Sequence, residues 1–198
     1  MSNVRGLSGK GAQRREELLD TAEELLVTTG GGELSMRAVA AAAGVRLGHL
    51  QHYFPTRTEL VAAVLGRVLD RSVERLGPLL DPARARDARL GGLLGALLAE
   101  HQDPRLVRLF AELWALAARD PAVAAAVRAF YTRYRELVAA FLAERHPGLA
   151  EEERRARARV FIMLVEGASL LRSGLAGTAE PATDAELLRT AEALLGRV

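Results

Sequence analysis

The chain has 198 residues, 49% of them hydrophobic and 26% charged, which is enough apolar material for a substantial core and too much for wholesale disorder. Its formal net charge is only +2, so bulk charge by itself points to no nucleic-acid partner. Cysteine is absent, which excludes a disulfide framework, a thiolate metal site and a cysteine nucleophile, and fits a reducing, cytoplasmic setting.

Residues 1–12, MSNVRGLSGKGA, carry Arg5 and Lys10 without the apolar run of a secretion signal and read as a flexible basic tail. The glycines around Lys10 lack the spacing of a phosphate loop, and no strand precedes them. A first helix is predicted over about residues 13–29, with Leu18, Leu19, Ala22, Leu25 and Leu26 on one stripe and Gly30, Gly31 and Gly32 ending it. Ser35 caps a second helix over 36–43, stopped by Gly44, and a third covers 47–53 until Pro55 prevents its continuation. Thr56 with Glu59 forms a capping box for a fourth, whose apolar face is Leu60, Val61, Val64, Leu65 and Val68 and which Gly77 and Pro78 close. The pairs Asp81-Pro82, Asp103-Pro104 and Asp120-Pro121 each offer a capping carboxylate followed by a proline and are expected to open three more helices.

The sixth helix places Leu106, Leu109, Phe110, Leu113, Trp114 and Ala117 at three-to-four spacing, and the seventh does so with Val127, Phe130, Tyr131, Tyr134, Leu137, Val138 and Phe141. After His146-Pro147-Gly148, an eighth begins with Glu151 to Glu153, acidic residues suited to the positive end of a helix, and is apolar over 160–171. Thr183 and Glu186 are expected to cap a ninth. The spacing therefore predicts an all-α fold of about nine helices, and none carries the roughly 20 apolar residues needed to cross a bilayer.

The second and third helices, joined at Gly44, have the dimensions of a helix-turn-helix, in which the second member lies in the major groove of DNA. Val39, Ala40, Ala43, Val45, Leu50 and Phe54 would hold the pair together and against the first helix. His49, Gln51, His52 and Tyr53 are then left outside, each able to reach a phosphate oxygen or a base edge. Six Lys and Arg balance six Asp and Glu over residues 1–54, so position rather than net charge carries this reading.

Residues 14–65, RREELLDTAEELLVTTGGGELSMRAVAAAAGVRLGHLQHYFPTRTELVAAVL, resemble the N-terminal DNA-binding domain of the tetracycline-repressor (TetR) family. The likeness rests on the leucine-alanine first helix, Gly30, Ser35, Val39-Ala40, Ala43-Gly44-Val45, Gly48, Leu50, Tyr53-Phe54 and the Thr56 to Leu60 helix start. It implies base contacts from Arg37, Arg46, Leu47, Gly48 and His49, and phosphate contacts from Gln51, His52, Tyr53 and Arg57. It also implies a basic tail (1–12), a helix-turn-helix domain (13–56) and a helical effector-binding and dimerisation domain (57–198). Two positions depart from the family pattern: Arg46 stands where a serine or threonine usually caps the third helix, and Gln51 where tyrosine is usual. Further on, FAELWALAARDPAVAAAV resembles the betaine-regulator branch, which nominates no ligand.

An effector cavity is expected among Phe110, Trp114, Phe130, Tyr131, Tyr134, Phe161 and Met163, residues that otherwise read as core. Glu166 stands in an apolar run and needs a partner, Arg172 or a ligand. The last two helices are those with which the family usually dimerises, here through Gly167, Leu171, Leu187, Leu188, Leu194 and Leu195. No metal or cofactor is expected: His49 and His52 lack a third ligand, and a helix end capped by Asp103 explains Glu100-His101-Gln102-Asp103. Neither an acidic metal cluster nor an oriented nucleophile and base marks an enzyme, and no catalytic residue is nominated. The expected function is a homodimeric, DNA-binding transcriptional regulator, a repressor released from its operator by an unidentified small-molecule effector. A helical adaptor binding only protein competes with it and is separated by salt-dependent binding to duplex DNA. Arg5, Lys10, Arg14 and Arg15 either follow the DNA backbone as an arm or solubilise the tail.

Overall fold

The computed structural model of the chain describes residues 9–30, 34–85, 90–100 and 103–196. Outside the described residues lie the first eight residues of the basic tail with Arg5, the Gly31-Gly32 helix stop, His101 and Gln102, together with the side chain of Glu100. Among the described residues there are nine α-helices and no strand beyond one isolated bridge between Ser173 and Thr178. The helices are α1 (Gly9–Thr29), α2 (Met36–Ala42), α3 (Leu47–Tyr53), α4 (Arg57–Leu79), α5 (Leu90–Glu100), α6 (Pro104–Ala117), α7 (Pro121–Arg145), α8 (Glu151–Arg172) and α9 (Pro181–Gly196). No helix among the described residues is long and apolar enough to cross a membrane.

Most helix starts follow from capping chemistry. Ser35 Oγ accepts from Ala38 N at 3.1 Å, Thr56 Oγ1 from Glu59 N at 3.1 Å, Asp103 Oδ1 from Arg105 N at 2.9 Å and Asp120 Oδ1 from Ala122 N at 2.8 Å. Four expectations are corrected. Asp81-Pro82 opens only a short 3-10 helix, Pro82–Arg84, and α5 begins later at Leu90. α4 continues through Gly77 and Pro78 to Leu79: a proline in the last turn forfeits one bond, and Leu80 N still reaches Leu76 O at 3.0 Å. α9 starts at Pro181, a position where the missing N–H costs nothing, and Asp184 N already bonds Glu180 O at 2.8 Å, which leaves Thr183 inside the helix. α1 starts at Gly9, so Lys10 is a helical residue.

The residues form two compact units. The first holds the chain as far as Val68 together with residues 111–126, so it extends beyond the helix-turn-helix into α4. Its core is Leu18, Leu19, Ala22 and Leu26 of α1 against Leu34, Val39, Leu50, Phe54, Leu60, Val64 and Leu65, all nearly or fully buried. Each of the leucine, valine and phenylalanine side chains contributes about 1.5–3 kcal/mol relative to exposure. Arg67 of α4 fastens α1 from the side, donating to Glu23 at 2.6 Å, Asp20 at 2.8 Å and Glu16 at 3.3 Å.

The second unit comprises residues 69–110 and 127–198. Tyr134, Phe141, Leu142, Phe161 and Leu195 are fully buried in it. His146, also buried, lies 2.7 Å from the Leu195 carbonyl through Nε2 and ties the end of α7 to the end of α9.

Candidate nucleic-acid interface and helical cleft

The turn between α2 and α3 is set by Gly44. Its φ is +63°, a left-handed value that a Cβ disfavours. That conformation brings Val45 N to Ala40 O at 2.9 Å and Gly44 N to Ala41 O at 3.1 Å, the paired bonds that close a helix at a left-handed glycine. α3 then leaves in a new direction. Its N-cap, Arg46, makes no side-chain cap bond, so the arginine forgoes local hydrogen bonding and its cation is exposed.

Leu50 is the one buried residue of α3, and Phe54 follows it into the core. These two anchors fix which face of the short helix looks out. Arg37, Arg46, Gly48, His49, Gln51 and His52 are exposed, and Leu47 and Tyr53 are half-buried. Tyr53 receives both histidine rings edge-on, His49 at 5.5 Å and His52 at 5.2 Å, which orders three hydrogen-bonding side chains on one surface. Arg15 of α1 lies 5.1 Å from the centroid of the Phe54 ring, a cation over an aromatic face that the spacing in α1 did not disclose.

Arg57 is exposed and already engaged: its Nε donates to the Leu34 carbonyl at 2.6 Å, pinning the segment before α2 to the start of α4. Its charge at this position therefore has a structural tie that sequence alone concealed, because the partners are 23 residues apart.

In the second unit, Ser72, Leu76, Leu106, Phe110, Phe130 and Glu166 line a cleft enclosing a cavity of about 20 Å³, with Arg75 and Leu79 beside them. That is room for one water-sized group. Phe130 packs against Phe110 at 5.7 Å, Tyr131 at 4.9 Å and Tyr134 at 6.1 Å. Burial pushes Glu166 up to about 7, and a hydrogen bond from the Tyr131 hydroxyl holds it from rising further. Tyr134 is fully buried, and its hydroxyl has no hydrogen-bond partner among the described residues. Burial and then the neighbouring Glu166 charge raise its phenol.

Of the residues expected in an effector cavity, Phe110, Phe130 and Glu166 line this cleft, while Trp114, Tyr131, Tyr134, Phe161 and Met163 are not among its lining residues. Met163 is 68% exposed, about 200° around α8 from the buried Phe161. Phe161 is packed core and does not line the cleft. Trp114 belongs to the first unit. The expected Glu166–Arg172 pair is also corrected, since Arg172 instead grips Asp184 with two bonds of 2.7 and 2.8 Å.

Of the residues expected at a dimer interface, Leu195 is fully buried in its own chain, and Leu187 and Leu188 line a small apolar gap with Leu94, Leu98, Leu164 and Val165. Leu195 is internal packing, whereas Leu187 and Leu188 are half-buried. Gly167 has open space where a Cβ would stand, Leu171 is exposed, and Leu194 is half-buried.

Residues 18–64 match the profile of bacterial regulatory proteins of the tetR family, and residues 83–197 that of the C-terminal domain of BetI-type transcriptional repressors. An uncharacterized HTH-type transcriptional regulator in the dhlA 5' region of Xanthobacter autotrophicus is 33% identical over 162 residues, 79% of this chain and 78% of that one. The HTH-type transcriptional repressor KstR2 of Mycolicibacterium smegmatis is 33% identical over 98 residues, 48% of each chain. Among solved structures, the multidrug binding protein EbrR complexed with imidazole aligns with a TM-score of 0.65 at 28% identity, covering 90% of this chain and 94% of that one. A TetR transcription regulator from Haloarcula marismortui shares the fold, with a TM-score of 0.75 at 22% identity over 93% of this chain and 97% of that one.

Proposed function

The chain belongs to the tetR family of bacterial regulatory proteins, DNA-binding transcriptional regulators, and from that premise we propose how its own residues read an operator. α3 enters the major groove. Arg37, Arg46, Leu47, Gly48 and His49 face base edges, and Gln51, His52, Tyr53 and Arg57 face phosphates. The observation that carries this reading is the outward surface of α3, where a single buried anchor, Leu50, leaves the imidazoles, Gln51 and Arg46 in solvent. Arg37 or Arg46 can clamp O6 and N7 of a guanine, a contact worth about 1–3 kcal/mol of discrimination.

Repression is relieved when a small molecule binds preferentially to a state whose two α3 helices no longer match their half-sites. The cleft at Glu166 is the receptor in this scheme. The EbrR structure, with its bound imidazole, supports small-molecule binding by a protein of this shape.

The regulator works as a symmetric pair. Its interface is centred on the outer face of α8, where Val160, Met163, Leu170 and Leu171 are large exposed apolar residues around the open surface at Gly167. Leu187, Leu188 and Leu194, each half-buried, lie at its margin, and Leu195 is left out of it because it is fully buried within the chain.

The test is selection of bound duplexes from a random pool by the full-length protein. Recovery of a palindrome with two half-sites about one helical turn or a multiple apart is the expected result. Recovery of no enriched sequence, with weak salt-sensitive binding to every duplex, would overturn sequence reading by α3.

A further inference from the structure

Two imidazoles stand on the outward surface of α3, and the chain supplies neither with an anion. His49 and His52 are exposed, and each meets the Tyr53 ring edge-on, at 5.5 and 5.2 Å. Among the described residues neither ring makes a hydrogen bond or an ion pair. The charged side chains on the adjoining segments are mostly cations: Arg46 at the N-cap of α3, Arg37 of α2, Arg57 at the start of α4 and Arg15 of α1. The nearby carboxylates are engaged elsewhere. Glu16 and Glu17 of α1 lie 3.3 Å from Arg15 and 2.6 Å from Arg14, and Glu59 of α4 accepts from the Thr56 hydroxyl at 3.3 Å.

We propose that His49 and His52 bind the operator as imidazolium cations, so that operator binding takes up protons and tightens as pH falls. The proposal rests on the reading of α3 as the recognition helix and names a regulation of that same surface. Imidazole is the side chain whose ordinary titration falls between about pH 5 and 8. A neutral ring offers one N–H, and the charged ring offers two. Against a phosphate the charged ring of His52 gains an ion pair, and against the acceptors of a purine edge that of His49 gains a second donor. Duplex DNA thus brings the anions that the protein withholds from both rings. Bound DNA favours the protonated rings, and by reciprocity protonation favours bound DNA. Arginine and glutamine, which supply other contacts on this surface, keep their charge across the same range and give no such dependence.

Fluorescence anisotropy of the full-length protein tests the assignment at about pH 6 and pH 8 and constant ionic strength, on the duplex recovered by selection and on a random duplex of the same length. The selected duplex is expected to be bound at least about tenfold more tightly at the lower pH. Titration calorimetry in buffers of different ionisation enthalpy should register net proton uptake by the unmodified protein. The wild type should also show a salt slope steeper by about one unit at the lower pH on both duplexes, and His52→Gln should remove that difference. The double substitution His49→Gln with His52→Gln should abolish the affinity ratio between the two pH values. It retains every other group that titrates in this range, Glu166 near 7 among them, so a pH dependence that survives in it overturns the proposal. Equal wild-type affinity at both pH values, or binding without proton uptake, does the same. Preference for the selected duplex that does not vary with pH leaves α3 as the reader and removes only the proton. Absence of preference at either pH removes the reader and the proposal with it.

Discussion

Arg67→Met probes the strongest polar tie in the first unit. Arg67 is 11% exposed and Glu23, its partner at 2.6 Å, 17%, so this pair is largely desolvated. Removing one member of a buried pair costs about 3–5 kcal/mol, because the other is left charged without compensation. Asp20 and Glu16, at 2.8 and 3.3 Å, are mostly in water and add about 0–1 kcal/mol each. Against this, Arg67 Nε is buried without a partner among the described residues, and its removal recovers roughly 1–3 kcal/mol. The expected net loss is about 2–4 kcal/mol. Urea unfolding followed by the fluorescence of Trp114 measures it selectively, since that residue is the chain's single tryptophan and belongs to the first unit. In a double-mutant cycle with Glu23→Gln the coupling should exceed about 1 kcal/mol. A single-variant loss below 1 kcal/mol, or strictly additive losses, would refute a desolvated clamp and leave three surface ion pairs of little consequence.

Arg37→Ala should relax base preference while leaving random duplex binding nearly intact; Arg57→Ala should weaken every sequence alike and lower the salt slope by about one unit, and Arg57→Lys should restore that slope but not the bond to Leu34, as read by binding titrations from 50 to 200 mM salt. Gly44→Ala meets no neighbouring atom, so its cost of about 1–2 kcal/mol in thermal unfolding is backbone strain alone, and Gly44→Asn should recover part of it. Glu166 is raised from its ordinary 4.5 to about 7, so the fold favours the protonated acid and the contribution is lost as pH rises through that window. Glu166→Gln should therefore gain on the wild type between pH 5 and pH 8, by at most about 3 kcal/mol in urea unfolding, and parallel stability curves would contradict the burial argument. Met163→Glu, on the outer face of α8, should leave a monomer where the proposed pairing predicts a wild-type dimer in sedimentation, without altering the far-ultraviolet circular dichroism.

Local chemistry was legible and distant pairing was not. Ser35, Thr56, Asp103 and Asp120 cap helices because each needs only a backbone N–H two or three residues ahead. The direction of α3 was equally readable, since Leu50 and Phe54 are the anchors that a four-residue spacing provides. Arg67 was not, because its partners on α1 are 44 to 51 residues away and nothing in the composition of α4 singles it out. The Glu166–Arg172 expectation ignored geometry the sequence does contain: six residues along a helix is about 240° of rotation, so the two side chains diverge, and Asp184 takes the arginine instead. The proline at 82 shows the converse limit: the start signal opens only a three-residue 3-10 helix, Pro82–Arg84, none of whose residues is buried.

α8 shows why one error about a site corrected another. Its apolar run reads as helix that is hydrophobic all round, and such a helix must be covered on two sides. Phe161, Ile162, Val165 and Ala168 are buried within the chain, while Val160, Met163 and Leu171 stand on the opposite face in solvent. Met163 is therefore surplus to the cleft for the same geometric reason that it is available to a partner. Glu166 lies between these two faces, on the flank that meets Tyr131 of α7. Under the proposed function, a small molecule held at that carboxylate and a second chain held at Met163 and Gly167 would act on the same helix.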